Sequence, residues 1–243
     1  MNHKITTITA VILQRNRQNP MAYSSHIAKN IASIQQQLPS NCKLLVVSKY
    51  RAVEEIQAAY DAGQRRFAEN RVQALMERVE ALPSDIEWHL IGHLQTNKVK
   101  FVAPFIAMIH AVDSLKLLQE INKEAAKHQR VIPCLLQLHV AKEETKFGFA
   151  PQEILSFLET ANLKSMEHIA IAGLMAMASN TDNQSQIEQE FDTVARIFKQ
   201  VKEGYFAVDH RFCELSIGMS SDYRIAINHG STFVRVGSAV FAQ

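Results

Sequence analysis

Two rhythms of apolar residues alternate along this chain. Some stretches repeat every three or four positions. Ile27, Ile31, Ile34 and Leu38 do so, as do Val53, Ile56 and Tyr60, then Val72, Leu75, Met76, Val79 and Leu82, and later Ile187, Phe191, Val194, Phe198 and Val201. That period places them on one face of a helix. Between these stretches stand short apolar runs, rich in β-branched residues, that read as strands: CKLLVVSK, RRFAEN, EWHLIG, IAMIHAVD, IPCLLQLHV, IAIAGLMAMA, CELSIGMS and TFVRVGSAVF. Local signals mark the boundaries. Gly63 stops the second helix, Ser114 caps SLKLLQEINKEAAKH, and Pro151 opens PQEILSFLETA at the first helical position. Short helices are expected in QTNKVKFVA and SDYRIAINHG.

Eight strands with helical crossovers predict a single α/β domain, a (β/α)8 TIM-type barrel over residues 21–243. An open doubly wound sheet is the alternative, although no GxGxxG turn follows the first strand. Residues 1–20 are expected to form a loose N-terminal extension, with Met21 as a possible start.

Composition narrows the function classes. The chain has 243 residues and a net charge of +2, too even a balance to point to nucleic acid or a membrane surface. Cys42, Cys134 and Cys213 lack CxxC spacing and lie in or beside strand-like stretches, so all three are expected to be buried, reduced thiols in a cytoplasmic protein. His89 and His93 do not share a helical face, and no HExxH surrounds them, so a hydrogen-bonding role near the mouth suits His89 better than metal binding.

In a parallel barrel, ligands meet the C-terminal ends of the strands. The strands here end with Lys49; Glu69 and Asn70; His89 and Gly92; Asp113 and Ser114; His139 and Lys142; Met175 and Met177; Ser220 and Ser221; and Arg235 and Gly237. A neutral lysine amine at such a mouth can condense with an aldehyde or ketone; a lysine that snorkels from a strand end is the plainer alternative. Ser220 and Ser221 open a short helix, and HGST and VGS add small residues around it, a setting for a phosphate. Plain capping by the serines and Asp222 explains the same pattern. Arg235 interrupts an apolar strand and needs either a carboxylate of the protein or a ligand acceptor. The three methionines Met175, Met177 and Met219 read as apolar lining, and KEETK (142–146) as a solvated charged loop.

The stretches LLVVSKY, FAENRVQ, WHLIGHLQTNKVK, IHAVDS, KEETKFGF, GLMAMAS and CELSIGMSSDYRIAINHGSTFVRVGSAVF run in order from residue 44 to 241. Through them the chain resembles the pyridoxal phosphate homeostasis protein family, single-domain barrels similar to the N-terminal domain of alanine racemase. The resemblance implies pyridoxal 5′-phosphate (PLP) as cofactor and Lys49 as the lysine that holds it as an internal aldimine. It implies Ser220, Thr232 and the Gly237 backbone near the phosphate, Arg235 facing the pyridine nitrogen, and Asn70 and His89 close to the cofactor. Ala68 stands where the family usually has Gly, His139 where Asn is common, and VFAQ replaces an ending in Gly.

A PLP binder that holds and releases the cofactor is then expected, rather than an enzyme. An arginine at the pyridine nitrogen disfavours the protonated ring, though alanine racemase has one too. A racemase also needs a second acid/base on the opposite face, which in alanine racemase comes from an additional domain, and this sequence ends just after the eighth strand. A racemase-like enzyme and a Schiff-base aldolase-type barrel are the alternatives. PLP-dependent apoenzymes are the implied acceptors, and a monomer is expected.

Overall fold

In the computed structural model, residues 20–142 and 147–243 are described, with side chains from Ser25 onward. Residues 1–19 and 143–146, which carry most of the expected extension and most of the KEETK loop, lie outside the described residues.

Helix α1 (Pro20–Gln35) leads into β1 (Lys43–Val47), and the βα rhythm then runs unbroken. It passes through α2 (Val53–Asp61), β2 (Arg66–Glu69), α3 (Val72–Ala81) and β3 (Glu87–Leu90). A 3-10 turn, α4 (Val99–Val102), β4 (Met108–Val112), α5 (Leu115–Lys127) and β5 (Ile132–Leu138) follow. The last part holds α6 (Glu153–Thr160), β6 (Ile169–Ala176), α7 (Gln184–Tyr205), β7 (Glu214–Met219), α8 (Tyr223–Asn228), β8 (Phe233–Val236) and α9 (Ser238–Phe241). The eight strands are parallel and close on themselves in sequence order, with β8 beside β1. The closed barrel, and not the open sheet, is therefore the fold. No helix among the described residues is long and apolar enough to cross a membrane.

Strand alternation sorts the core into two layers. Leu44, Val46, Phe67, Trp88 and Leu136 face outward and pack beneath the helices with Ile27, Ile56, Leu117 and Phe191. Leu45, Val47, Ala68, Met108, Leu135, Met175 and Phe233 face inward and fill the barrel. Met175 is thus lining, as expected, and Met177 packs against the same inner cluster. Ser114 caps α5 by accepting the Leu117 N–H at 3.3 Å. Gly63 leaves α2 with φ of 95°, a value that suits glycine.

Three local expectations need correction. Pro151 does not open α6; it lies in the preceding turn, and the helix starts at Glu153, whose carboxylate accepts the Ala150 N–H at 2.9 Å. TFVRVGSAVF is not one strand. It breaks at Gly237, which crosses β1 so closely that a Cβ would lie 3.0 Å from the Val47 carbonyl oxygen, and α9 follows. Cys213 is exposed rather than buried, because it precedes β7 at the rim of the barrel floor, whereas Cys42 and Cys134 are buried as read. All three thiols are free, and burial pushes that of Cys134 up.

Candidate cofactor site at the barrel mouth

The mouth is assembled from β1, β7 and β8, which are neighbours in the closed sheet. Leu45 and Val47 face the interior, and the period of two carries Lys49 to that same side, just above the last strand residue. Lys49 is exposed there. The two loops beyond β7 and β8 meet through Ser220. Its Oγ accepts the backbone N–H of Gly237 at 3.2 Å and lies 3.5 Å from that of Ala239. Asp222 does not oppose an anion at this place. Its buried carboxylate turns back to accept the Met219 N–H at 2.5 Å, and burial raises its pKa.

Beneath the mouth runs a buried polar chain. Arg235, only 3% exposed, donates from Nη1 to the Ser216 carbonyl at 2.6 Å and to its hydroxyl at 2.7 Å, and from Nη2 to the Ala176 carbonyl at 2.9 Å. Desolvation pulls its pKa down to about 10, against a small opposing effect of Asp222. The Ser216 hydroxyl also meets His110 Nδ1 at 2.9 Å, and His110 Nε2 meets His89 Nδ1 at 2.8 Å. Both imidazoles pack on the Phe233 ring. Burial brings His89 down to about 3 and His110 well below its ordinary value, so both stay neutral and each can donate one ring N–H and accept at the other nitrogen.

Most of the residues singled out from sequence converge here. Lys49, Ser220 and Gly237 surround the mouth, with Arg235 and His89 inside the barrel below it. Asn70 follows β2, and the backbone there is crowded: a Cβ on Gly92 would fall 2.1 Å from the Asn70 carbonyl oxygen. On its outer side Asn70 borders a cleft of about 410 Å³ shared with Arg71, Met76, His93, Lys98 and Phe101. His93 lies beyond the end of β3, pairing with Asp113 at 2.9 Å and stacking on Phe147. His139 and Lys142 line a separate polar cleft of about 460 Å³ with Asn183, Gln186 and Glu190.

Thr232 is the exception. It precedes β8 and therefore lies at the barrel floor, where its Oγ1 donates to Glu214 at 2.7 Å and accepts the Leu215 N–H at 2.8 Å. Strands rise about 3.3 Å per residue, so some ~16 Å of strand separates Thr232 from Gly237. Both cannot serve one phosphate. Glu214 also carries an ion pair with Lys43, which closes the floor under Phe233.

Comparison with known proteins places this architecture. The family model described as alanine racemase, N-terminal domain, matches residues 23–243. Fold and mouth thus define a barrel of the alanine racemase N-terminal class. Curated relatives named pyridoxal phosphate homeostasis protein include one from Pasteurella multocida, 35% identical over 228 residues, or 88% of this chain and 96% of the relative. Another, from Haemophilus influenzae, is 33% identical over 229 residues, covering 89% and 95%. This chain belongs to the pyridoxal phosphate homeostasis protein family. PipY of Synechococcus elongatus, solved without PLP, superposes with a TM-score of 0.83 at 32% identity, over 89% of this chain and all of PipY. The PipY structure with PLP bound gives 0.79 at 33% identity over the same shares. An alanine racemase from Clostridium difficile shares the fold, with a TM-score of 0.71 at 14% identity over 90% of this chain and 56% of its own.

Proposed function

We propose that this barrel binds pyridoxal 5′-phosphate at its mouth, holds it covalently through Lys49, and stores and releases it within the cytoplasm rather than turning over a substrate. The carrying observation is that Lys49 follows β1 at the same end of the barrel where the loops after the adjacent strands β7 and β8 join through Ser220 and Gly237. PLP bears an aldehyde at one end and a phosphate at the other, and the two sides of this mouth suit those two ends. Bound PLP supplies an electrophilic aldehyde on an electron-withdrawing ring. The PLP-bound state of PipY supports the same ligand here.

Each residue then has a stated task. Lys49 would hold the aldehyde end, supplying a primary amine at the mouth. The Ser220 hydroxyl, oriented by the backbone N–H groups of Gly237 and Ala239, would donate to a phosphate oxygen at the junction of the two loops. Arg235 would present a fixed positive charge to the ring from inside the barrel. Next to a pyridine nitrogen such a charge opposes protonation and weakens carbanion stabilisation, which favours holding over turnover. Neutral His89 adds no second cation. PLP-dependent apoenzymes are the proposed acceptors.

Two measurements test this. Protein mixed with PLP should turn yellow, and Lys49→Ala should not. The loaded protein, incubated with single amino acids in deuterated water, should leave their α-hydrogens unexchanged. Exchange with any of them at a catalytic rate overturns the carrier reading, and absence of the visible band overturns the binding reading.

A further inference from the structure

The residue after Lys49 is a backbone outlier. Tyr50 has φ of 64°, in the left-handed region that non-glycine residues enter only at a cost. Its side chain is 78% exposed, so packing of the ring does not offset that cost. The strain sits in a tight turn, closed by the Arg51 N–H donating to the Ser48 carbonyl at 3.0 Å. Strain of this kind persists only where the surroundings over-determine it.

Those surroundings come from one βα unit, on the outer side of the barrel. Ser48 is fully buried, and its Oγ donates to Glu69 Oε1 at 2.7 Å. Arg78 Nη2 donates to the Arg51 carbonyl at 2.5 Å. Glu69 ends β2 and Arg78 lies on α3; Glu69 Oε1 stands 4.0 Å from Arg78 Nε, which is buried without a hydrogen-bond partner. The two side chains therefore grip the two ends of the turn, Ser48 and Arg51. From the other side, the Arg51 guanidinium lies over the Phe241 ring at 4.9 Å, which ties the turn to the helix that follows Gly237. A lysine stem is flexible, so the backbone at its root sets the region its amine can reach.

We propose that Glu69 and Arg78 are positioning residues for Lys49: they hold the Ser48–Arg51 turn with Tyr50 left-handed, and this aims the amine into the mouth. The inference rests on the reading of Lys49 as the amine that takes the PLP aldehyde. Condensation joins Lys49 Nζ to the aldehyde carbon and releases the aldehyde oxygen as water. The turn contributes no group to that chemistry and sets only where Nζ stands.

The test is the rate at which the visible band forms when PLP is added to the full chain, with thermal melts confirming that each variant is folded. Tyr50→Gly, which reaches the left-handed region without strain, retains the rate within about twofold. Tyr50→Val, which resists that region, slows it by about tenfold, because the left-handed penalty is of that order. Arg78→Met, which keeps the stem and loses the bond to Arg51, slows it by a similar factor. Should Arg78→Met fail to fold, Ser48→Ala breaks the Glu69 contact instead and is held to the same criterion. Retention of the rate in Tyr50→Val or in Arg78→Met, or its loss in Tyr50→Gly, overturns the proposal. Failure of the unaltered protein to form the band sinks the reading of Lys49 itself, a result distinguishable from the others.

Discussion

Lowering the pH attacks the barrel from inside, through His89 and His110. Both rings are buried and neutral, and they bond to each other at 2.8 Å. In the unfolded chain each imidazole takes a proton near its ordinary pKa of about 6.5. In the native state His89 does so only near 3, and His110 also well below 6.5. Above about pH 6.5 neither state binds these protons and there is no effect. Below it the unfolded state binds more, so stability falls as pH falls. The slope is about 1.4 kcal/mol per pH unit for each ring, and the pair loses about 4 kcal/mol by pH 5. That is a large part of the 5–15 kcal/mol typical of a domain. Glu69 and Asp222, whose pKa values burial raises, work in the opposite direction, because the native state then binds protons more readily in acid. A variant comparison removes that complication. Urea melts between about pH 5 and 6.5, on the unaltered chain and on His89→Asn, should differ in average slope by about 1 kcal/mol per pH unit, since the carboxylates are common to both. Equal slopes in the two proteins refute the neutral buried pair.

Thr232→Val tests the placement of that residue at the floor. It removes the hydroxyl that links Glu214 and the Leu215 N–H, so chemical denaturation should show a loss of about 1–3 kcal/mol with PLP affinity unchanged. Ser220→Ala should weaken PLP about ten- to hundredfold in an equilibrium titration and leave unphosphorylated pyridoxal nearly unaffected, since a charge-assisted bond to the phosphate is worth about 1.5–3 kcal/mol.

The βα rhythm was legible because each strand is short and apolar and each helix carries a stripe of period 3.6. The mouth was legible too, since a parallel barrel brings all strand ends together, and Lys49, Ser220 and Gly237 needed only that rule. Thr232 failed because closeness in the chain is not closeness in space along a strand: the residues after it climb away toward the mouth. His110 and Ser216 were missed although alternation in MIHAV and ELSIGM turns both inward. One strand does not reveal what faces it across a barrel, and these two meet from β4 and β7. The grip of Arg78 on the Lys49 turn joins residues 27 positions apart and leaves no local pattern. The exposure of Cys213 turned on its lying one residue before β7 begins, a resolution that periodicity does not reach.

Borohydride reduction of the PLP-treated protein, followed by digestion and mass spectrometry, tests most directly whether Lys49 holds PLP. One phosphopyridoxyl group is expected, on the peptide that contains Lys49, and none on Lys49→Ala. An adduct on another lysine with Lys49 unmodified, or no adduct at all, contradicts it.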